Sequence, residues 1–200
     1  MFYKTSVYIA DILEQQNRFT AEDKELYRYG IQQGLNLALN ILTTIIIGCF
    51  CGMIFPSILF LLSYMPLRSF CGGYHAKTHI RCYIYSVIMI TSILLIAKYV
   101  TFSILVYGIL VLVSLAMIFL LAPVEDRNKA LDNTEKKIFR KIACTIAVLE
   151  VLIYHIFLII RFTNSYKILS IALFSLSILM IIGRIKNYIQ RRNMHVSINH

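Results

Sequence analysis

Charge is scarce in this sequence. Only 15% of its 200 residues are Asp, Glu, Lys or Arg, and 58% are apolar. A typical soluble domain is about 25% charged and about 45–50% apolar. The shortage is uneven: blocks of about twenty residues are nearly free of charge, long enough to cross a hydrocarbon core as helix. They are apolar all round, without the polar stripe of a soluble core helix. Acidic residues are scarcest, ten against twenty basic ones, for a net charge of +10. No RNA- or DNA-binding motif accompanies that excess, so nucleic acid is not an expected partner. Basic residues instead mark the cytoplasmic loops of a membrane protein.

Other absences narrow the reading. Residues 1–34 lack an apolar run followed by small residues, so no cleavable leader is expected and the first span directs insertion. The five cysteines do not form the framework of a secreted disulfide protein. Cys49, Cys51, Cys71 and Cys144 lie in or beside apolar blocks, where cysteine behaves as a small hydrophobe. Cys82 alone lies in a cationic segment. There is no HExxH, which counts against a zinc metalloprotease. There is no clear internal repeat, which counts against a transporter.

What is present reads as an all-α polytopic membrane protein with about six transmembrane helices. Residues 1–34 form an N-terminal interfacial region with two amphipathic helices. One is centred on Tyr8, Ile9 and Ile12. The other is centred on Leu26, Tyr27 and Ile31, with Thr20 as cap ahead of Asp23. Residues 35–188 form a single transmembrane domain, and 189–200 a basic tail. Spans are expected at 35–55, 57–67, 83–102, 104–122, 142–160 and 168–185. The second is short unless it extends through Phe70. Six crossings put segment 68–82, loop 123–141 and both termini on the cytoplasmic side of the cell membrane. Gly48 and Gly52 have the GxxxG spacing that suits a homodimer face. Glu150, near the middle of the fifth span, reads as a structural hydrogen-bonding group rather than a catalytic one.

Chemistry concentrates in residues 68–82, RSFCGGYHAKTHIRC. A thiol reacts as thiolate, which neighbouring cations favour, and a Cys–His pair is the minimal apparatus for acyl transfer. On one straight helix His75 would stand about 10.5 Å along the axis from Cys82, whereas a base must come within about 2.6–3.2 Å. The Gly72–Gly73 pair can break the helix and return His75 to the sulfur. His79 is a helical neighbour of Cys82 without any break, so spacing alone leaves both imidazoles open and leans to His79. Cys71, His75, His79 and Cys82 would also make a zinc ligand set if they lined one helix. A non-enzymatic membrane partner is the remaining alternative.

The run GGYHAKTHIRC between apolar spans, with Arg68 before it and Ala122-Pro123 opening a polar loop, resembles the accessory gene regulator B (AgrB) family of quorum-sensing membrane peptidases. The resemblance implies that His75 and Cys82 are the catalytic pair of a cysteine endopeptidase with no cofactor and no metal. It implies a short precursor signalling peptide as substrate, with an amphipathic N-terminal helix and an acidic C-terminal part. Cleavage would leave a thioester on Cys82, and a thiol or hydroxyl within the peptide would close a thiolactone or lactone ring. Arg68, Gly73, Lys77 and Arg81 are then the expected substrate-binding residues, with Glu125 or Asp126 as a weaker candidate third group.

Overall fold

The computed structural model describes residues 3–15, 23–74, 76, 78–125 and 131–198. They form seven helices in the order α1 (Tyr3–Gln15), α2 (Lys24–Cys51), α3 (Ile54–Cys71), α4 (His79–Tyr99), α5 (Ile104–Leu121), α6 (Asn133–Ile159) and α7 (Thr163–Ile198), with no strand among the described residues. Six of them, α2 to α7, are long and apolar enough to cross a membrane. Large apolar side chains such as Phe50, Leu105, Leu120 and Ile159 project outward, on a surface suited to lipid rather than water.

α7 is the central helix. More than half of its apolar stretch is buried, and it packs against α3, α4, α5 and α6. Ile168, Leu169, Leu173, Leu176 and Met180 supply its interior face.

α1 is the amphipathic helix of the N-terminal region. It buries Ser6 and Ala10, one turn apart, while Tyr8 projects away. It is tied to α2 by Lys24, whose ammonium pairs with Asp11 at 2.8 Å and Glu14 at 2.6 Å. The second expected interfacial helix is not separate. Residues 24–34 run unbroken into the first span, because nothing between them breaks the helical backbone. Asp23 occupies the N-cap position without a side-chain cap bond; the expected Thr20 cap lies outside the described residues.

Two boundaries differ from the sequence expectation. The first turn between spans falls at Gly52, which takes a left-handed conformation (φ 66°) and closes α2, rather than at Pro56. Proline is accommodated near a helix start, where its missing N–H has no intrahelical partner, so Pro56 sits inside the first turn of α3. The second span therefore runs 18 residues, from Ile54 to Cys71, and includes Pro66. At the other boundary, loop 123–141 is helical from Asn133 onward. Asp132 and Glu135 form a reciprocal capping box, with Glu135 N–H donating to Asp132 Oδ1 at 2.6 Å and Asp132 N–H to Glu135 Oε2 at 3.1 Å.

Gly48 faces α3 of its own chain. A Cβ built on it would lie 2.7 Å from the Cβ of buried Ser57. With Gly52 spent as a cap, the GxxxG pair serves an intrachain helix contact, and the spacing no longer argues for a homodimer. Glu150 is 4% exposed on α6. Its carboxyl faces Ser63 of α3, and neither of its oxygens makes a hydrogen bond among the described residues. His155 turns to a different, exposed face, with Nδ1 at 2.7 Å from the Val151 carbonyl.

Candidate active site

α3 ends at Cys71 because Gly72 and Gly73 follow with φ values of 69° and 123°, a left-handed region that favours glycine. The chain then leaves the helix and begins α4 at His79, with Thr78 as the N-cap and its hydroxyl accepting from Arg81 N–H at 3.4 Å. Cys82 thus stands in the first turns of α4. Its N–H donates to the Thr78 carbonyl at 3.0 Å, and its side chain is half-buried.

The glycine loop is fixed from three sides. The Arg68 guanidinium, in the last turn of α3, donates to the carbonyls of Gly72 and Tyr74. The loop after α5 lies alongside in a parallel bridge between Gly72 and Val124. There Val124 N–H donates to the Cys71 carbonyl at 2.8 Å, and Gly73 N–H to the Val124 carbonyl at 3.3 Å. On the third side Tyr74 N–H donates to the Leu179 carbonyl of α7 at 2.9 Å. Both glycines are required by approach as well as by φ: a Cβ on Gly72 would strike the Val124 carbonyl oxygen, and one on Gly73 would strike Arg68 and stand 3.1 Å from the Leu179 carbonyl oxygen.

Of the expected site residues, the structure brings Arg68, Gly73 and the start of α4 with Arg81 and Cys82 to one end of the bundle. His75 and Lys77 lie outside the described residues. His79 is the first residue of α4. The helical spacing behind the zinc alternative does not hold. Cys71 ends one helix, fully buried, and Cys82 belongs to the next, with the non-helical glycine loop between them. Glu125 is brought close to the loop by the Gly72–Val124 bridge, but its carboxylate is engaged: Oε1 accepts from Leu131 N–H at 3.2 Å and pairs with Lys136 at 2.9 Å. Asp126 lies outside the described residues.

Sequence reasoning missed Val124, Leu179 and Gly183. The only signal for Gly183 is a glycine within an apolar helix, which costs about 1 kcal/mol relative to alanine and so implies a packing reason.

Residues 6–183 match the model of one protein family, described as Accessory gene regulator B. The chain is 24% identical over 144 residues to an AgrB-like protein of Clostridium perfringens strain SM101, covering 68% of this chain and 67% of that one. It is 24% identical over 173 residues to a second AgrB-like protein, from Clostridium perfringens strain 13, covering 82% and 80%. No solved structure matches the chain.

Proposed function

Because the chain belongs to the accessory gene regulator B family, we propose that it is an integral-membrane cysteine endopeptidase that processes and cyclises a quorum-sensing peptide precursor. The observation that carries this reading is the placement of Cys82 in the first turns of α4, directly after a glycine loop held by Arg68. That loop supplies the break which a His75–Cys82 pair needs and a straight helix forbids.

In the proposed reaction His75 takes the thiol proton and the Cys82 sulfur attacks the scissile carbonyl. Collapse of the tetrahedral adduct breaks the C–N bond. The departing amine carries the proton from His75, and the N-terminal part of the peptide remains as a thioester on Cys82. A thiol or hydroxyl of the same peptide then attacks that thioester, closing the ring and restoring the Cys82 thiol. With an internal thiol, one thioester replaces another, so little energy is lost before the ring forms. Water must stay away from the acyl-enzyme, which a site at the membrane boundary favours.

Arg81 and Lys77 provide positive potential for an acidic C-terminal segment of the substrate, while Gly73, buried against Arg68 and α7, serves by shaping the loop. The excess of basic residues in 68–82, in 123–141 and in the tail supports a cytoplasmic location for this end of the bundle and for both termini. The test is Cys82→Ala and Cys82→Ser in membranes carrying the precursor. Loss of cleavage, with mass spectrometry showing a peptide adduct on Cys82 in the wild type, is expected. Cleavage that survives Cys82→Ala removes the proposal.

A further inference from the structure

We propose that α7 is the seat of the catalytic loop and that Gly183 is its positioning residue, the absent side chain there being what lets the Gly73–Tyr74 peptide dock. The inference rests on the cysteine-peptidase reading and adds to it an element more than a hundred residues from the motif.

The contact is between backbones. A Cβ on Gly183 would stand 2.6 Å from the Gly73 carbonyl carbon and 2.7 Å from the Tyr74 nitrogen. Neither atom is the end of a flexible side chain, so neither can step aside without moving the loop. One turn earlier on α7, the Leu179 carbonyl receives the Tyr74 N–H. One turn later, the Lys186 ammonium lies 5.2 Å from the centre of the Tyr74 ring, within the range of a cation–π contact. Asn187 Nδ2 donates to the Glu125 carbonyl at 2.6 Å, tying down the loop whose Val124 carbonyl holds Gly73. Leu179, Gly183, Lys186 and Asn187 share one face of α7 by helical spacing, and that face seats both loops.

His75 follows Tyr74 directly in the chain. An anchored Tyr74 peptide therefore fixes the point from which the imidazole-bearing residue departs. A displacement of about 1 Å at such a point costs on the order of a hundredfold in rate. Substrate affinity, set elsewhere along the cations and the membrane surface, need not change.

The experiment uses the full chain in proteoliposomes with the precursor peptide. Gly183→Ala is compared with Gly108→Ala, a control on α5 where an added Cβ meets nothing within 4 Å. The expected result is a fall in kcat of about a hundredfold for Gly183→Ala, with KM within about threefold. The backbone amide of Tyr74 should exchange about tenfold faster than in the wild type. Wild-type kcat in Gly183→Ala overturns the proposal, as does a loss confined to KM. Should Gly183→Ala fail to assemble, Lys186→Met with Asn187→Ala takes its place: a kcat loss with faster Tyr74 exchange supports the seat, and unchanged kcat overturns it. Exchange at Tyr74 needs no catalysis. If Cys82→Ala leaves cleavage intact, the peptidase reading falls while the docking of the loop on α7 is still measured.

Discussion

The Arg68 guanidinium holds the carbonyl of Tyr74, six residues ahead of it, while its other arm holds the carbonyl of Gly72. The planar fork of arginine can bridge two carbonyls at fixed separation, and the single ammonium of lysine cannot. Arg68→Lys keeps the charge and loses the bridge. We expect processing to drop about tenfold to a hundredfold, with the protein still inserted, checked by cleavage assays normalised to the amount in the membrane. Near-wild-type cleavage in Arg68→Lys would mean that Arg68 acts through its charge on an acidic substrate instead.

The two histidines can be separated. Helical spacing alone favours His79 as the partner of Cys82, whereas the family resemblance points to His75, which the glycine break permits. His75→Ala is expected to abolish cleavage, by about a hundredfold or more, and His79→Ala to leave it within about threefold. Alkylation of Cys82 by iodoacetamide across pH gives a second readout, since removal of the true base changes the profile and removal of a bystander does not. The reverse pattern would transfer the role to His79.

Much of the architecture is legible in the sequence, and its gaps have physical causes. Six apolar blocks give six spans because length and uniform apolarity decide membrane crossing without reference to packing. The boundaries were harder. Gly52 rather than Pro56 ends α2 because a left-handed cap stops a helix, while proline near a helix start does not. The start of α6 was available as the Asp132–Glu135 pair, but the basic residues Lys136, Lys137, Arg140 and Lys141 made its first turns look like loop. Those turns continue the span as a charged, capped helix. At the site, the glycine pair and the cations announce a special loop by composition. Leu179 and Gly183 do not, because a backbone seat uses a carbonyl and a missing side chain, and neither leaves a local pattern.

The α2–α3 contact offers a stability test. Ser57, fully buried, donates its hydroxyl to the Met53 carbonyl at 2.7 Å directly opposite Gly48. Gly48→Val forces branched carbons into that contact, and overpacking of this kind costs about 1–3 kcal/mol. Thermal unfolding of the purified protein in detergent should show a lowered midpoint for Gly48→Val and none for Gly108→Ala. If Gly48→Val instead left stability intact and broke up an oligomer on size-exclusion chromatography, the glycine would face a second copy.

Glu150 tests whether a buried carboxyl in a span serves structure or chemistry. It lies between α6 and α3, opposite Ser63. Glu150→Gln keeps the shape and a hydrogen-bonding head without the carboxyl. It should retain cleavage and stay within about 1 kcal/mol of the wild type, since the exchange conserves volume. Glu150→Lys instead places an ammonium among apolar side chains near the centre of a span, a position that costs about 2.5–3.5 kcal/mol on insertion scales. The amount of membrane-integrated protein should fall accordingly, as measured by carbonate extraction. The informative contrast is Glu150→Gln with normal insertion but no cleavage. That outcome would place the carboxyl in the reaction, because an inter-helix contact tolerates the amide and proton transfer does not.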